Sequence, residues 1–232
     1  MSVGAAKHEQ RRPWAVENYV KAIYALSERE LAATTTALAA ELRVAPSSVS
    51  AMLLRLREAK LIDHRPYSEA TLTDLGVQLA LWVIRRRRLI ESFLIETLAY
   101  SWDEVEQEAE TLSRAASELF VERIAEKLGD PVRDPHGDPI PSPNGEIADA
   151  RSQVLGTADA GAVGRLVRVW NGDPEVLRYL DQCGIELGDR IEVLGREPFG
   201  GPMTIRVGEP KEGRIHGFGP DLIAVLSIEL DP

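Results

Sequence analysis

Cysteine is almost missing from this chain of 232 residues, which contains Cys183 and no other. An internal disulfide framework is therefore excluded, and a single thiol is typical of the reducing cytoplasm. Aromatic residues make up only 6% of the chain, and no apolar run reaches the length of a membrane span. The N-terminal residues lack the apolar core of a signal peptide. We expect a cytoplasmic protein with no membrane partner.

Histidine is also scarce, since the chain contains four, scattered at positions 8, 64, 136 and 216. The sequence pairs none of them with a nucleophile. It contains no phosphate-binding glycine loop, nucleophile elbow or metalloprotease helix motif. These absences predict a protein that is not an enzyme.

The charge of the chain is distributed unevenly. Residues 1–100 carry 14 lysines and arginines against 11 acids, whereas residues 101–232 carry 13 against 26, which gives the formal net charge of −10. A mildly basic first part can meet an anionic partner that the acidic remainder would repel.

Segments rich in proline and glycine divide the chain into three blocks. Residues 14–128 are rich in helix formers with apolar residues three and four apart, and residues 129–150 are dense in proline, glycine and aspartate. That second composition cannot sustain a helix or a central strand, so we interpret it as a connector. The third block alternates glycine turns with the short β-type runs RLVRVW, DRIEVLGRE, MTIRVGE and LIAVLSIEL. We therefore predict a multidomain protein, mainly α and then β, that ends in a small barrel or sandwich.

A helix-turn-helix pattern lies within the helical block. Thr36 can cap a short helix that ends at Leu42, and Val44, Ala45 and Pro46 interrupt it. A second helix begins near Ser47. Its buried stripe consists of Val49, Met52, Leu53 and Leu56.

The opposite face of this second helix is polar and basic. It presents Ser47, Ser48, Ser50, Arg55, Arg57 and Lys60. Small hydroxyls followed by cations suit a helix whose first turn enters the major groove of DNA. The next run, LIDHRPYSEATLT, reads as strand, turn and strand, with Arg65 in the turn. The pattern predicts a winged helix-turn-helix that binds DNA, although such units also serve as scaffolds or as protein-docking modules.

Four consecutive arginines, Arg85–Arg88, lie in an apolar helical pattern. Because successive helical residues differ by about 100°, they cannot all face one DNA strand. The core face consists of Leu79, Trp82, Val83, Leu89, Ile90, Phe93 and Leu94. We expect Arg85 and Arg88 to be solvated. Arg86 falls within the apolar stripe and either extends its head to water or meets a buried acid.

In this order, the segments resemble those of the diphtheria-toxin-repressor family of iron- and manganese-dependent repressors. ENYVKAIYAL is similar to the family's first helix, and AAELRVAPSSVSAMLLRLREAKLI with LTDLG is similar to its DNA-reading unit. DPHGDPIP looks like its proline-rich link. The run from GDPEVLRYLDQCGIELGDRIEVLGREPF onward resembles the SH3-like FeoA domain.

The resemblance implies a domain order and a mode of DNA binding. It implies a winged helix-turn-helix over residues 1–73, a helical dimerisation and metal-site-like domain over 74–140, a linker over 141–160 and an SH3-like domain over 161–232. A homodimer would bind a palindromic operator on double-stranded DNA, as a regulator that is most simply a repressor. The contacts expected by position are Ser47, Ser48, Ser50 and Ala51 for the bases, with Arg55, Arg57 and Arg65 as further contacts.

The metal-binding positions of the family are largely substituted in this chain. The resemblance places candidate ligands at Asn18, Glu91, Glu106 and Glu110, but Arg87 and Arg114 stand where the family has histidine, and Ser113 replaces an acid. Manganese and iron prefer imidazole with carboxylate ligands. The chain therefore binds either Mn²⁺ or Fe²⁺ at a reduced site, or no metal. Helix glutamates in ordinary salt bridges are the simpler interpretation.

We hypothesise that Arg87 and Arg114 take the place of metal by forming salt bridges. Arg87 would lie between Glu91 and Glu106, and Arg114 would reach Glu110 or Asn18. Two alternatives stay open at this level. One is a DNA-binding regulator that senses a small molecule, and the other is a protein-interaction module that has lost DNA binding.

Overall fold

The computed structural model describes residues 14–64, 68–147, 152–170 and 174–231. Two compact units divide the chain: the first extends to Arg87 and includes Pro141–Glu146, and the second comprises Arg88–Ile140 and the residues from Ile147 onward. The division falls within one long helix. Each unit buries apolar side chains of its own.

The first unit is a winged helix-turn-helix. Its elements are α1 (Trp14–Glu28), α2 (Thr35–Leu42), α3 (Pro46–Glu58), β1 (Ile62–His64), β2 (Ala70–Leu72) and the first part of α4 (Asp74–Leu98). The two strands pair antiparallel, with Ile62 opposite Leu72. Val20, Leu38 and Leu56 are fully buried where the three helices meet. The predicted order of helix, turn, helix and wing is confirmed.

The caps of α2 and α3 refine the predicted boundaries. The hydroxyl of Thr34 accepts a hydrogen bond from the backbone N–H of Ala37 at 3.1 Å, so the cap is Thr34 and the prediction of Thr36 was wrong. Arg43 ends α2 in the left-handed conformation, with φ of 53°. Pro46 begins α3 because its fixed φ suits a first helical position and that position needs no N–H partner.

The second unit begins with a helical layer. It contains the rest of α4, then α5 (Trp102–Ala115) and α6 (Glu118–Leu128). Ser117 caps α6 by accepting from the backbone N–H of Phe120 at 3.2 Å. The helices bury Leu89, Ile90, Leu94, Val105, Ala109, Val121 and Ile124. These apolar residues recur at helical spacing, which is why the pattern predicted this layer correctly.

A six-stranded antiparallel sheet forms the rest of the second unit, in the order β3-β8-β4-β5-β6-β7. The strands are β3 (Ser152–Val154), β4 (Val163–Val169), β5 (Arg190–Arg196), β6 (Met203–Val207), β7 (Arg214–Phe218) and β8 (Leu226–Leu230), with helices α7 (Pro174–Cys183) and α8 (Pro220–Val225). The predicted sequence of helices followed by a small β domain is confirmed.

One predicted strand and two omissions need correction. The run LIAVLSIEL is a strand only in its second half, because Pro220 starts the short helix α8, which includes LIAV. The strand β7 was missed, since its sequence RIHGF alternates weakly and leaves Ile215 exposed. The strand β3 was also missed, because its three residues SQV are too few to show an alternating pattern.

The proline-rich segment, residues 133–140, packs against β4 without forming a helix or a strand. Asp134 accepts from the backbone N–H groups of His136 and Asp138 at 2.9 and 2.8 Å, and Val169 donates to the carbonyl of His136 at 3.0 Å. Gly137 has a φ of +81°, and a Cβ there would lie 1.9 Å from the carbonyl oxygen of Val167. Backbone therefore meets backbone at this point.

No single helix in the described ranges is long and apolar enough to cross a membrane. Only α2 and α3 taken together meet the length and composition test, and they are bent by 109° at their junction.

Gly137→Ala is expected to lower the free energy of unfolding by about 2 kcal/mol or more, since the variant adds left-handed strain to the clash with Val167. Gly129→Ala is the matched control, because Gly129 also has positive φ but a Cβ there would meet nothing within 4 Å. Urea unfolding followed by tryptophan fluorescence measures both. Equal denaturation midpoints for the two variants would contradict the close packing at Gly137.

Candidate nucleic-acid interface and metal-site positions

Helix α3 separates its apolar and polar faces cleanly. Val49, Leu53 and Leu56 are almost completely buried, and they hold the helix against the core of the first unit. The opposite face is exposed and carries Ser47, Ser48, Ser50, Ala51, Arg55 and Arg57. The hydroxyl of Ser50 donates to the carbonyl of Pro46 at 3.2 Å. The first turn is thus small and polar, and the cations Arg55 and Arg57 lie in the last turn.

The angle between α2 and α3 matches the geometry of a DNA-binding helix pair. Their axes bend by 109°, within the range of roughly 90–120° that helix-turn-helix units adopt. The left-handed Arg43 and the proline at the start of α3 produce this sharp turn. α3 is therefore presented outward as a unit, with its basic face uncovered.

The wing follows directly after α3. Lys60 and Leu61 connect α3 to β1, and the hydroxyl of Thr73 donates to the carbonyl of Lys60 at 2.8 Å. The predicted contact Arg65 lies outside the described residues.

Arg86 binds a buried acid, which is one of the two outcomes expected for it. Its guanidinium forms a short ion pair with Glu17 of α1, and the two side chains are only 5% and 10% exposed. The ring of Trp82 lies beneath the guanidinium, 4.4 Å from its centre. This pair joins α1 to α4 within the first unit.

Arg85 and Arg88 are not solvated, so that prediction was wrong. Arg85 donates to the carbonyl of Pro141 at 2.8 Å, and Arg88 donates to the carbonyl of Pro139. Both side chains are half-buried. A helical wheel considers one helix alone, and it cannot show that the proline-rich segment covers the outer face of α4.

Two arginines and two aspartates form an ion network in the second unit. Arg88 contacts Asp134 at 3.4 Å and Asp138 at 3.1 Å, and Arg168 of β4 forms a short pair with Asp138. Arg168 also stacks on Trp170, 3.4 Å from the ring centre. The network ties α4, the proline-rich segment and β4 together.

Burial perturbs the ionisation of this network. The pKa of Asp134 is raised from 3.8 to about 7, chiefly by burial and then by the neighbouring charge of Asp138, while Arg88 partly offsets both. Burial also lowers the pKa of Arg168, against the opposing effect of Asp138. The carboxyl of Asp134 is therefore protonated more readily than that of an ordinary aspartate.

The sequence missed this network because its members are far apart in the chain. Asp138 is 30 residues from Arg168, and neither spacing nor periodicity links them. The one available signal is the pair of acids four apart in DPHGD, which follows the arginine run by fewer than fifty residues.

The substituted metal positions lie on three helices. Asn18 on α1 is half-buried, Glu91 on α4 is 5% exposed, and Glu106 on α5 is exposed. Arg114 donates to Glu110 at 2.7 Å, one of the two pairings considered for it. Ser113 is 2% exposed, and its hydroxyl has no hydrogen-bond partner among the described residues. The placement of Arg87 between Glu91 and Glu106 stays a prediction.

A protein with this helix pair, wing and helical layer followed by a β domain is a winged-helix DNA-binding regulator. Three family models match it: the iron dependent repressor N-terminal DNA binding domain at residues 15–70, the iron dependent repressor metal binding and dimerisation domain at 73–142, and the FeoA domain at 154–213. The chain belongs to the iron-dependent repressor family.

Individual relatives agree with this assignment. A helix-turn-helix transcriptional regulator of Methanocaldococcus jannaschii is 31% identical over 121 residues, covering 50% of this chain and 97% of the relative. The iron-dependent repressor IdeR of Mycobacterium tuberculosis is 28% identical over 201 residues, covering 82% and 86%.

Solved structures match over nearly the whole length. A manganese-dependent transcriptional repressor in complex with manganese has a TM-score of 0.85 and 36% identity, covering 92% of this chain and 98% of that one. The manganese regulator SloR has a TM-score of 0.76 and 31% identity, covering 93% and 98%. This family consists of metal-dependent transcriptional repressors with a DNA-binding domain.

The candidate metal positions Asn18, Glu91, Glu106 and Glu110 contain no histidine, whereas manganese and iron prefer imidazole together with carboxylate ligands. Within the described ranges, no group of three histidine, cysteine, aspartate or glutamate side chains is placed to hold a metal ion. Such sites need several oxygen or imidazole ligands that converge. Here the acids Glu17, Asp134, Asp138 and Glu110 each bind an arginine.

The raised pKa of Asp134 predicts a pH-dependent contribution to stability. An acid whose folded pKa exceeds its unfolded value stabilises the fold below the unfolded pKa, and this contribution disappears as pH rises through the folded value. Between about pH 4 and pH 7 the ionisation of Asp134 costs at most roughly 4 kcal/mol. Asp134→Asn should flatten this part of the stability profile in urea unfolding.

The exposed Asp159 provides the control, since Asp159→Asn removes the same charge from the second unit. We expect its profile to follow the unmodified protein. If Asp134→Asn retains the full decrease in stability from acidic to neutral pH, the raised pKa is not the cause.

Proposed function

We propose that this protein is a transcriptional repressor that binds a palindromic operator as a homodimer. The observation that carries the proposal is the uncovered face of α3, set at 109° to α2 and lined by small hydroxyls and two arginines. A helix of this kind reaches base edges through its first turn. Two copies related by a twofold axis would read two half-sites one helical turn apart.

Different residues of α3 have different proposed roles. Ser47, Ser48 and Ser50, with the small Ala51, would approach the bases because short side chains let the helix enter deeply. Arg55 and Arg57 would bind phosphates, and Arg65 would do so from the wing. None of the six α3 residues is covered by the protein itself.

The charge distribution supports this orientation on DNA. The first hundred residues carry three more basic than acidic residues, whereas residues 101–232 carry 13 more acids than bases. DNA would therefore attract the helix-turn-helix unit and repel the remainder of the chain. A protein that acts on DNA in this way would work in the cytoplasm.

The homodimer is supported by exposed apolar residues in the helical layer of the second unit. Leu119 and Phe120, at the start of α6, are 63% and 45% exposed, and Leu98 at the end of α4 is 54% exposed. They lie in the domain that the family model describes as metal binding and dimerisation. Apolar side chains of this size are costly to leave in water and are typical of subunit interfaces.

Arg57→Ala is expected to weaken binding to random duplex and to operator alike, because a phosphate contact carries no sequence information. The slope of the logarithm of affinity against the logarithm of salt should fall by about 0.9. Fluorescence anisotropy across a salt series measures it. Arg196→Ala, which removes an exposed arginine of β5, should leave the slope unchanged.

A slope that Arg57→Ala does not alter would remove Arg57 from the DNA interface. Random duplex that binds without any salt dependence would contradict DNA binding by the whole chain, and would favour the protein-interaction alternative.

Leu119→Glu is expected to raise the dimer dissociation constant at least about tenfold, because it buries a charge in an apolar interface. Sedimentation velocity over a concentration series measures the shift. Ile215→Glu is a matched control, since Ile215 on β7 is also 63% exposed. Equal effects of the two variants would exclude a specific interface at the start of α6.

A further inference from the structure

We propose that this repressor binds its operator without a divalent metal corepressor, because its candidate metal positions contain no histidine and arginines of the chain itself bind acids on α1 and α5. The inference rests on the operator binding proposed above and concerns how that binding is regulated. It starts from a mismatch between the family description, which includes metal binding at residues 73–142, and the side chains that the structure places there.

The first internal cation is Arg86. It joins α1 to α4 through Glu17 inside the first unit, the unit that also contains α3. A guanidinium stays charged at all physiological pH values and cannot dissociate from the protein. A bound dication can leave when its concentration falls, whereas this link between α1 and α4 is permanent.

The second unit contains a similar arrangement on a larger scale. Asp134 and Asp138 face Arg88, and Asp138 also faces Arg168. A dication that approached these carboxylates would meet two guanidinium charges within a few ångströms. The attraction of the acids is thus already satisfied, and the two arginines would repel a further cation.

Helix α5 carries the candidate metal positions Glu106 and Glu110, and it contains no histidine. Glu110 binds Arg114 one turn away, and Ser113 between them is buried with a hydroxyl, which is a poor ligand for manganese or iron. Glu91 remains as a buried acid of α4. With Glu106 and Glu110, the candidate positions supply carboxylates but no imidazole, whereas manganese and iron prefer imidazole together with carboxylate ligands.

The pair of Arg86 and Glu17 thus joins α1 to α4 of the winged-helix unit by charges that are covalently attached to the chain. The DNA-binding state would then be present whenever the protein is folded, and the amount of repressor or a ligand other than a metal ion would control its occupancy of DNA. One solved relative, by contrast, is a manganese-dependent transcriptional repressor in complex with manganese.

A selection from a pool of random-sequence duplexes tests the inference and the proposed function separately. The full-length protein is used in three parallel arms: with EDTA, with manganese(II) chloride, and anaerobically with iron(II) sulfate. We expect all three arms to enrich one palindromic sequence, with dissociation constants that agree within about twofold. Enrichment only in the metal arms would overturn the inference and leave the proposed function standing. No palindrome in any arm would overturn the proposed function itself.

Direct metal uptake gives a readout that does not involve DNA. The protein is dialysed against micromolar manganese(II) chloride, and bound manganese is measured by elemental analysis. We expect a small fraction of one ion per chain. A stoichiometric amount that survives a second dialysis against metal-free buffer would overturn the inference.

Two variants test the role of Arg86. Arg86→Met should lower operator affinity in EDTA at least about tenfold, because it leaves Glu17 buried without its cation. Arg196→Met, the matched loss of an exposed arginine, should change it by less than about twofold. If Arg86→Met fails to fold by circular dichroism, the double variant Glu17→Gln with Arg86→Met removes both charges and is measured instead. Unchanged affinity in the folded variant would overturn the role of Arg86.

Discussion

A helix turns about 100° per residue, and this constraint determines what the arginines of α4 can do. Four adjacent positions must point in different directions, so each side chain meets a different part of the protein. Arg86 reaches Glu17, Arg85 reaches the carbonyl of Pro141, and Arg88 reaches the aspartates of the proline-rich segment. The run of four arginines resembles a nucleic-acid-binding segment, but three of its side chains bind groups within the protein itself. The uncovered polar face in the DNA-binding domain belongs to the less charged helix α3.

Apolar spacing within short stretches of the sequence was enough to predict several elements of the fold, but it did not decide their exact boundaries. The two helices and the wing follow from apolar spacing within about forty residues, and the buried stripe of α3 was predicted residue by residue. The cap at Thr34 was missed because Thr34, Thr35 and Thr36 are chemically equivalent, and only the direction of the chain decides among them. The helix in LIAV was missed because its composition suits a strand equally well, and the proline before it was overlooked.

The candidate site was less predictable than the fold, for a different reason. Arg88 and Asp138 come together only after the proline-rich segment has folded back along α4, and contacts between distant residues leave no periodic trace in a sequence. Arg86 is the instructive middle case. Arg86 lies in an apolar stripe, and burying an unpaired guanidinium is costly. Its side chain therefore had to bind a buried acid or extend to water, which left two possibilities. Identifying Glu17 as that acid needed three-dimensional information.

The tight contact between Gly137 and Val167 also has a consequence for reading related sequences. Because the backbone of the proline-rich segment touches the backbone of β4 there, any side chain larger than hydrogen would push the segment and the sheet apart. A homologue with another residue at this position must therefore have lost that docking or rebuilt it. The residue at the position of Gly137 thus indicates whether the β domain of a family member packs against the proline-rich segment.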